Sequence, residues 1–83
     1  MPRYIDFHAQ MPKIPQDQLQ QLKSAVGRPD NNGVKNIDAI FTKDGQGYCI
    51  TDAPNADAVC RSHEAKGMRL GKGDVHEIAS TLA

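Results

Sequence analysis

The stretch Val34–Thr51, VKNIDAIFTKDGQGYCIT, decides the fold. Val34 to Thr42 and Gln46 to Thr51 are rich in β-branched and aromatic residues, and Lys43-Asp44-Gly45 between them carries the Asp-Gly signature of a tight hairpin. Two strands in the middle of the chain therefore pair directly. Upstream, residues 3–9 alternate, with Ile5 and Phe7 on one side and Tyr4, Asp6 and His8 on the other, which predicts a first strand. Met11 to Pro15 breaks that pattern. Pro15 suits the first turn of a helix carrying Leu19, Leu22 and Val26 at spacings of three and four, and Gly27 with the turn-rich run Arg28–Gly33 returns the chain to the hairpin.

Downstream, Pro54 and Asn55 introduce a second helix, with Asn55 as its cap and Ala56, Val59, Cys60 and His63 as one stripe, ending near Gly67. Gly67-Met68-Arg69-Leu70-Gly71-Lys72-Gly73 reads as a loop, and Asp74 to Thr81 as a last strand. The order βαββαβ is that of a ferredoxin-like α+β domain: a four-stranded antiparallel sheet, spatial order 4-1-3-2, with two helices on one face. At 83 residues the chain has material for a single domain, 1–83, because two cores of half that size would each bury too little surface. A sheet covered on one face leaves the other to water, so a homodimer is expected.

Ten Lys and Arg balance ten Asp and Glu, and no basic run is present to neutralise a row of phosphates, which argues against nucleic acid as a partner. The first residues lack the apolar core of a signal peptide, and nowhere do about 20 apolar residues in a row offer a membrane span. The expected location is the cytoplasm, where Cys49 and Cys60 remain thiols.

The histidines are the best candidate functional groups. In the expected topology the end of strand one, the end of helix two and the start of strand four lie at one sheet edge, which gathers His8, His63 and His76, with Cys49 a few residues below. Neutral imidazole is a good ligand for nickel, zinc and copper, and thiolate or carboxylate can complete a set. By strand parity, His8 and Asp6 look out from the open face with Tyr4, and Cys49 joins them if Tyr48 and Ile50 pack under the helices. His63 falls instead on the apolar helix stripe, where it can also serve as a core histidine, so only an edge site reconciles it with His8. Asp6 can ligate a metal, orient an imidazole or meet water. Cys60 faces the core.

Catalytic motifs fail on inspection. His63-Glu64-Ala65-Lys66-Gly67 lacks the second histidine of a zincin, and the Gly67–Gly73 loop has neither the glycine spacing nor the Ser or Thr of a phosphate loop. No Cys-x-x-Cys or Gly-x-Ser-x-Gly is present. Enzymatic activity is the less favoured reading.

Four segments carry a resemblance: Tyr4-Ile5-Asp6-Phe7-His8, Tyr48-Cys49-Ile50, Ala58-Val59-Cys60-Arg61-Ser62-His63-Glu64 and Val75-His76-Glu77-Ile78. In order and spacing they resemble a family of small bacterial proteins of ferredoxin-like fold, a domain of unknown function that includes a nickel-binding member. The resemblance spans nearly the whole chain. It implies a homodimer and nickel as the divalent metal partner, and it carries metal-related roles onto His8 and His63 and onto Asp6, Cys49 and His76. Zinc and copper suit the same donors. The rival expectation is a ferredoxin-like module whose open face binds a small organic ligand, or catalyses a modest reaction with His8 and Asp6.

Overall fold

The alternating residues at the start of the chain form strand β1 (Arg3–His8), and the hairpin segment forms β2 (Lys35–Phe41) and β3 (Gly47–Asp52). The remaining elements are helix α1 (Gln16–Ser24), helix α2 (Ala56–Ala65), one turn of 3-10 helix at Lys72–Asp74 and strand β4 (Val75–Glu77). This computed structural model describes residues 1–82; Ala83, the last residue of the expected domain, lies outside them. The order is the expected βαββαβ, and the antiparallel sheet runs β2-β3-β1-β4, which is the expected spatial order.

Local chemistry accounts for the boundaries. The Gly45 N–H donates to the Thr42 carbonyl (3.2 Å) and the Thr42 N–H to the Gln46 carbonyl (3.0 Å), closing the hairpin at Asp44-Gly45. Asn55 caps α2, its Oδ1 accepting from the Ala58 N–H at 2.8 Å. At the other end Gly67 takes φ 80°, in the left-handed region, so that its N–H reaches the Glu64 carbonyl and the Met68 N–H the His63 carbonyl, each at 2.9 Å. This paired closure terminates the helix and fixes Met68 beside His63. Arg3 grips Asp52 with two guanidinium contacts (2.7 and 3.1 Å), pinning the β1–β3 register at its end. The last strand is shorter than the expected 74–81, because the 3-10 turn occupies Lys72–Asp74 and pairing to β1 ends at Glu77.

Two expectations about packing change. In β1 the buried residues are Tyr4, Asp6 and His8, and in β3 they are Gly47, Cys49 and Thr51, whereas Ile5, Phe7, Tyr48 and Ile50 are half-buried. The alternation is as expected and the faces are the reverse of those expected: Tyr4 joins Val59, Ala58 and Val75 in the core, and the polar row of β1 lies under helix α2. Helix α1 has no buried residue; Leu22 and Val26 are exposed and Leu19 is half-buried. Its apolar side does not close on the sheet. It stands over β2 and β3 as one wall of a cavity of about 200 Å³. That shared cavity puts α1 on the same face as α2.

Candidate metal centre

Four of the five expected site residues converge. Asp6 and His8 come from β1, Cys49 from the neighbouring β3, where it sits directly opposite Asp6, and His63 descends from the last turn of α2. One ligand atom from each lies within 4.8 Å of every other. Donors bonded to one ion at about 2.0–2.3 Å can be at most about 4.5 Å apart, so this spread is close to that of an assembled coordination sphere. Their convergence is not at a sheet edge. Strands β1 and β3 are the two inner strands, so the group lies over the centre of the sheet, under α2. His76 is the exception: it pairs with Ile5, shares that residue's open face and is exposed, so the fold holds it away from the other two histidines.

The site is buried, with side-chain exposures of 0% for Asp6, 5% for His8 and 3% for His63. Asp6 serves both imidazoles, Oδ1 lying 2.7 Å from His8 Nε2 and Oδ2 3.5 Å from His63 Nε2. Neither contact has the alignment of a hydrogen bond, and both carboxylate oxygens and His8 Nε2 stay without a hydrogen-bond partner. Buried polar atoms are nearly always paired, so several orphans aimed into one small volume mark a place built for something else. His63 Nδ1 lies 2.8 Å from the Val59 carbonyl, which can only accept, so Nδ1 donates there and Nε2 is left pointing toward Asp6. The His8 and His63 rings stack, centroids 5.1 Å apart at 28°.

Cys49 is a free, buried thiol. Burial first, then the nearby negative charge of Asp6, pushes its pKa up to about 12, so without a metal the thiol keeps its proton. Cys60 faces the hydrophobic cluster, as the helix stripe required. Thr51, on the same strand and face two residues beyond Cys49, carries a fully buried hydroxyl that also lacks a hydrogen-bond partner; nothing in the sequence pattern singles it out. One carboxylate, one thiol and two imidazoles fit a borderline divalent ion. Carboxylate and thiolate together would supply the two negative charges that balance it in a buried site, and the mixed hardness suits nickel, zinc or copper.

Fold and site together define a class: a small ferredoxin-like α+β domain with a buried Asp-His-Cys-His group that could hold a metal ion. Within that class, the family model described as "Nickel responsive protein SCO4226-like" matches residues 4–78, and the chain belongs to this SCO4226-like family. Among solved structures it is similar to that of SCO4226 from Streptomyces coelicolor, at 30% identity over 95% of this chain and 98% of the other, with a TM-score of 0.71. No curated protein matches the chain. Family and fold are those expected from the resemblance. No helix among the described residues is long and apolar enough to cross a membrane.

Proposed function

We propose that this protein binds nickel, or a similar divalent transition metal, in the cytoplasm through Asp6, His8, Cys49 and His63, and that it buffers, delivers or senses the ion. The observation that carries the reading is the set of buried donor atoms, several without partners, within 4.8 Å of one another. Membership of a family described as nickel-responsive supports nickel as the ion. The Asp6 carboxylate and Cys49 thiolate would balance the divalent charge, the imidazoles would complete the set, and the thiolate would add a softer bond that resists exchange with water. Calorimetric titration of nickel and zinc into tag-free, metal-stripped protein tests this. The expected result is tight binding lost on His8→Ala or His63→Ala; titrations silent for every divalent metal would sink it.

The reading includes a homodimer. On the open face Ile5, Phe7, Tyr48 and Ile50 are half-buried and Ile40 is 47% exposed, a run of apolar residues that a second copy would cover. A second reading, a small organic ligand, is favoured by the cavity beside Cys49 and His63, on the helix-covered face of the sheet. Equal binding of such a ligand with and without metal would support it.

A further inference from the structure

Gly47 begins the buried row of β3. A Cβ built there would lie 2.3 Å from Met11 Cγ, 2.7 Å from its Sδ and 3.1 Å from its Cε, so the Met11 side chain occupies the space a side chain at position 47 would fill. Position 47 is directly opposite His8 and precedes Cys49 by two on the same face. Opposed side chains in a sheet start about 5 Å apart, and residues two apart on a strand about 7 Å apart. The Met11 thioether is therefore one side-chain position from two of the four donors. Its backbone is tied down as well, the Met11 N–H donating to the Gly45 carbonyl at 2.8 Å. The cavity that reaches Cys49 and His63 is walled by Met11 and by Met68, the residue that the closure of α2 fixes beside His63.

Thioether sulfur is uncharged, has no proton to lose and is soft. Beside a thiolate it favours monovalent copper over nickel or zinc, which gain more from imidazole and carboxylate. We propose that Met11 and Cys49, with one of the two imidazoles, form a soft-donor subsite that takes a monovalent d10 ion such as Cu(I). The Cys49 thiolate then balances the single positive charge, and Asp6 keeps its contact with His8. The subsite rests on the metal-binding reading above, because it borrows Cys49 and an imidazole from that centre.

The test is an anaerobic titration of metal-stripped protein carrying 13C-methyl methionine, with Cu(I) affinity measured by competition against a chromophoric chelator and nickel affinity by calorimetry. With Cu(I), but not with nickel, the Met11 methyl resonance shifts. Met11→Leu, which keeps the packing on Gly47, weakens Cu(I) by about tenfold or more and leaves nickel within about twofold. Gly47→Ala, which pushes the thioether aside with every other donor intact, gives the same selective loss. A Met11 methyl that Cu(I) leaves unmoved in protein that still binds nickel, or full Cu(I) affinity in both variants, would overturn the subsite alone. Wild-type protein that binds neither ion would overturn the metal reading together with it.

Discussion

His8, on a strand, and His63, on a helix, hold their rings stacked with centroids 5.1 Å apart. Nothing in the chain between them forces this; the contact exists because β1 is an inner strand and α2 crosses above it. Asp6 lies within reach of both Nε2 atoms, so the imidazoles share one carboxylate and face one volume.

Because each imidazole would supply one of the four donors of the proposed centre, replacing either should weaken nickel steeply and not merely trim it. We expect His8→Ala and His63→Ala each to lower nickel affinity by about 100-fold, and His76→Ala, whose side chain is on the other face, to leave it within about twofold. Titration calorimetry of the three variants decides this. A His76 effect as large as that of His63 would contradict the placement.

Asp6 gives a different signature. Its carboxylate is fully buried with no hydrogen-bond partner, an arrangement that costs stability unless an ion compensates it. Metal-free Asp6→Asn should therefore melt no lower than the wild type. Nickel at 100 times its Kd should stabilise the wild type by about 2.7 kcal/mol, roughly 10–20 °C in a domain of this size, and the variant far less. Thermal unfolding with and without nickel reads both effects.

Much of this was legible in the sequence, and the rest failed for identifiable reasons. The element order followed from the Asp44-Gly45 hairpin, the alternation of residues 4–8 and the Asn55 cap, all of which act within a few residues. Residue type and resemblance also single out Asp6, His8, Cys49 and His63, the four that the fold brings together. Which face they occupy was not legible. Tyr4-Asp6-His8 looks polar beside Ile5 and Phe7, and a functional site buried under a helix inverts the usual rule that the polar row faces water. His76 was misplaced for the same reason: strand parity, decided by pairing with Ile5, outranks nearness along an edge. Met11 carried no signal at all, since its position depends on the missing side chain of Gly47.

With Cys49 as a ligand, the proposed nickel binding would release a proton. With its pKa pushed up to about 12 by burial and by Asp6, the thiol is protonated throughout the neutral range, and the ion must displace that proton to gain a thiolate. Affinity should rise with pH, by up to about tenfold per unit for this one proton. Calorimetry in buffers of different ionisation enthalpy should count the proton released by the wild type and miss it in Cys49→Ser. A variant that releases as many protons would remove Cys49 from the ligand set.

The open face makes its own forecast. Phe7 and Tyr48 hold their rings 5.3 Å apart at the centre of that face, with Ile5 and Ile50 beside them. If a second copy covers this patch, Ile50→Glu should yield a monomer by analytical ultracentrifugation while nickel binding, on the opposite face, persists. A variant that sediments as the wild type does would place the dimer contact elsewhere or remove it.

Asp30 predicts how stability depends on acid. Its Oδ1 accepts from the Asn32 and Val34 amides (2.8 and 3.0 Å) and its Oδ2 from the Ser62 hydroxyl, so one carboxylate straps the turn before β2 onto buried α2. Burial alone would raise its pKa, but the bonds from Ser62, Val34 and Asn32, with the charge of Lys66, outweigh that and hold it below the ordinary 3.8. A carboxyl lowered on folding contributes stability that is complete above its unfolded value and is lost as pH falls through the folded one. Asp30→Ala should therefore cost roughly 2 kcal/mol at neutral pH, and the gap from the wild type should close only below pH 3.8. Urea unfolding of both proteins from pH 7 to pH 2.5 checks it. A gap that stays constant across that range would mean that Asp30 acts by packing, with its charge contributing nothing.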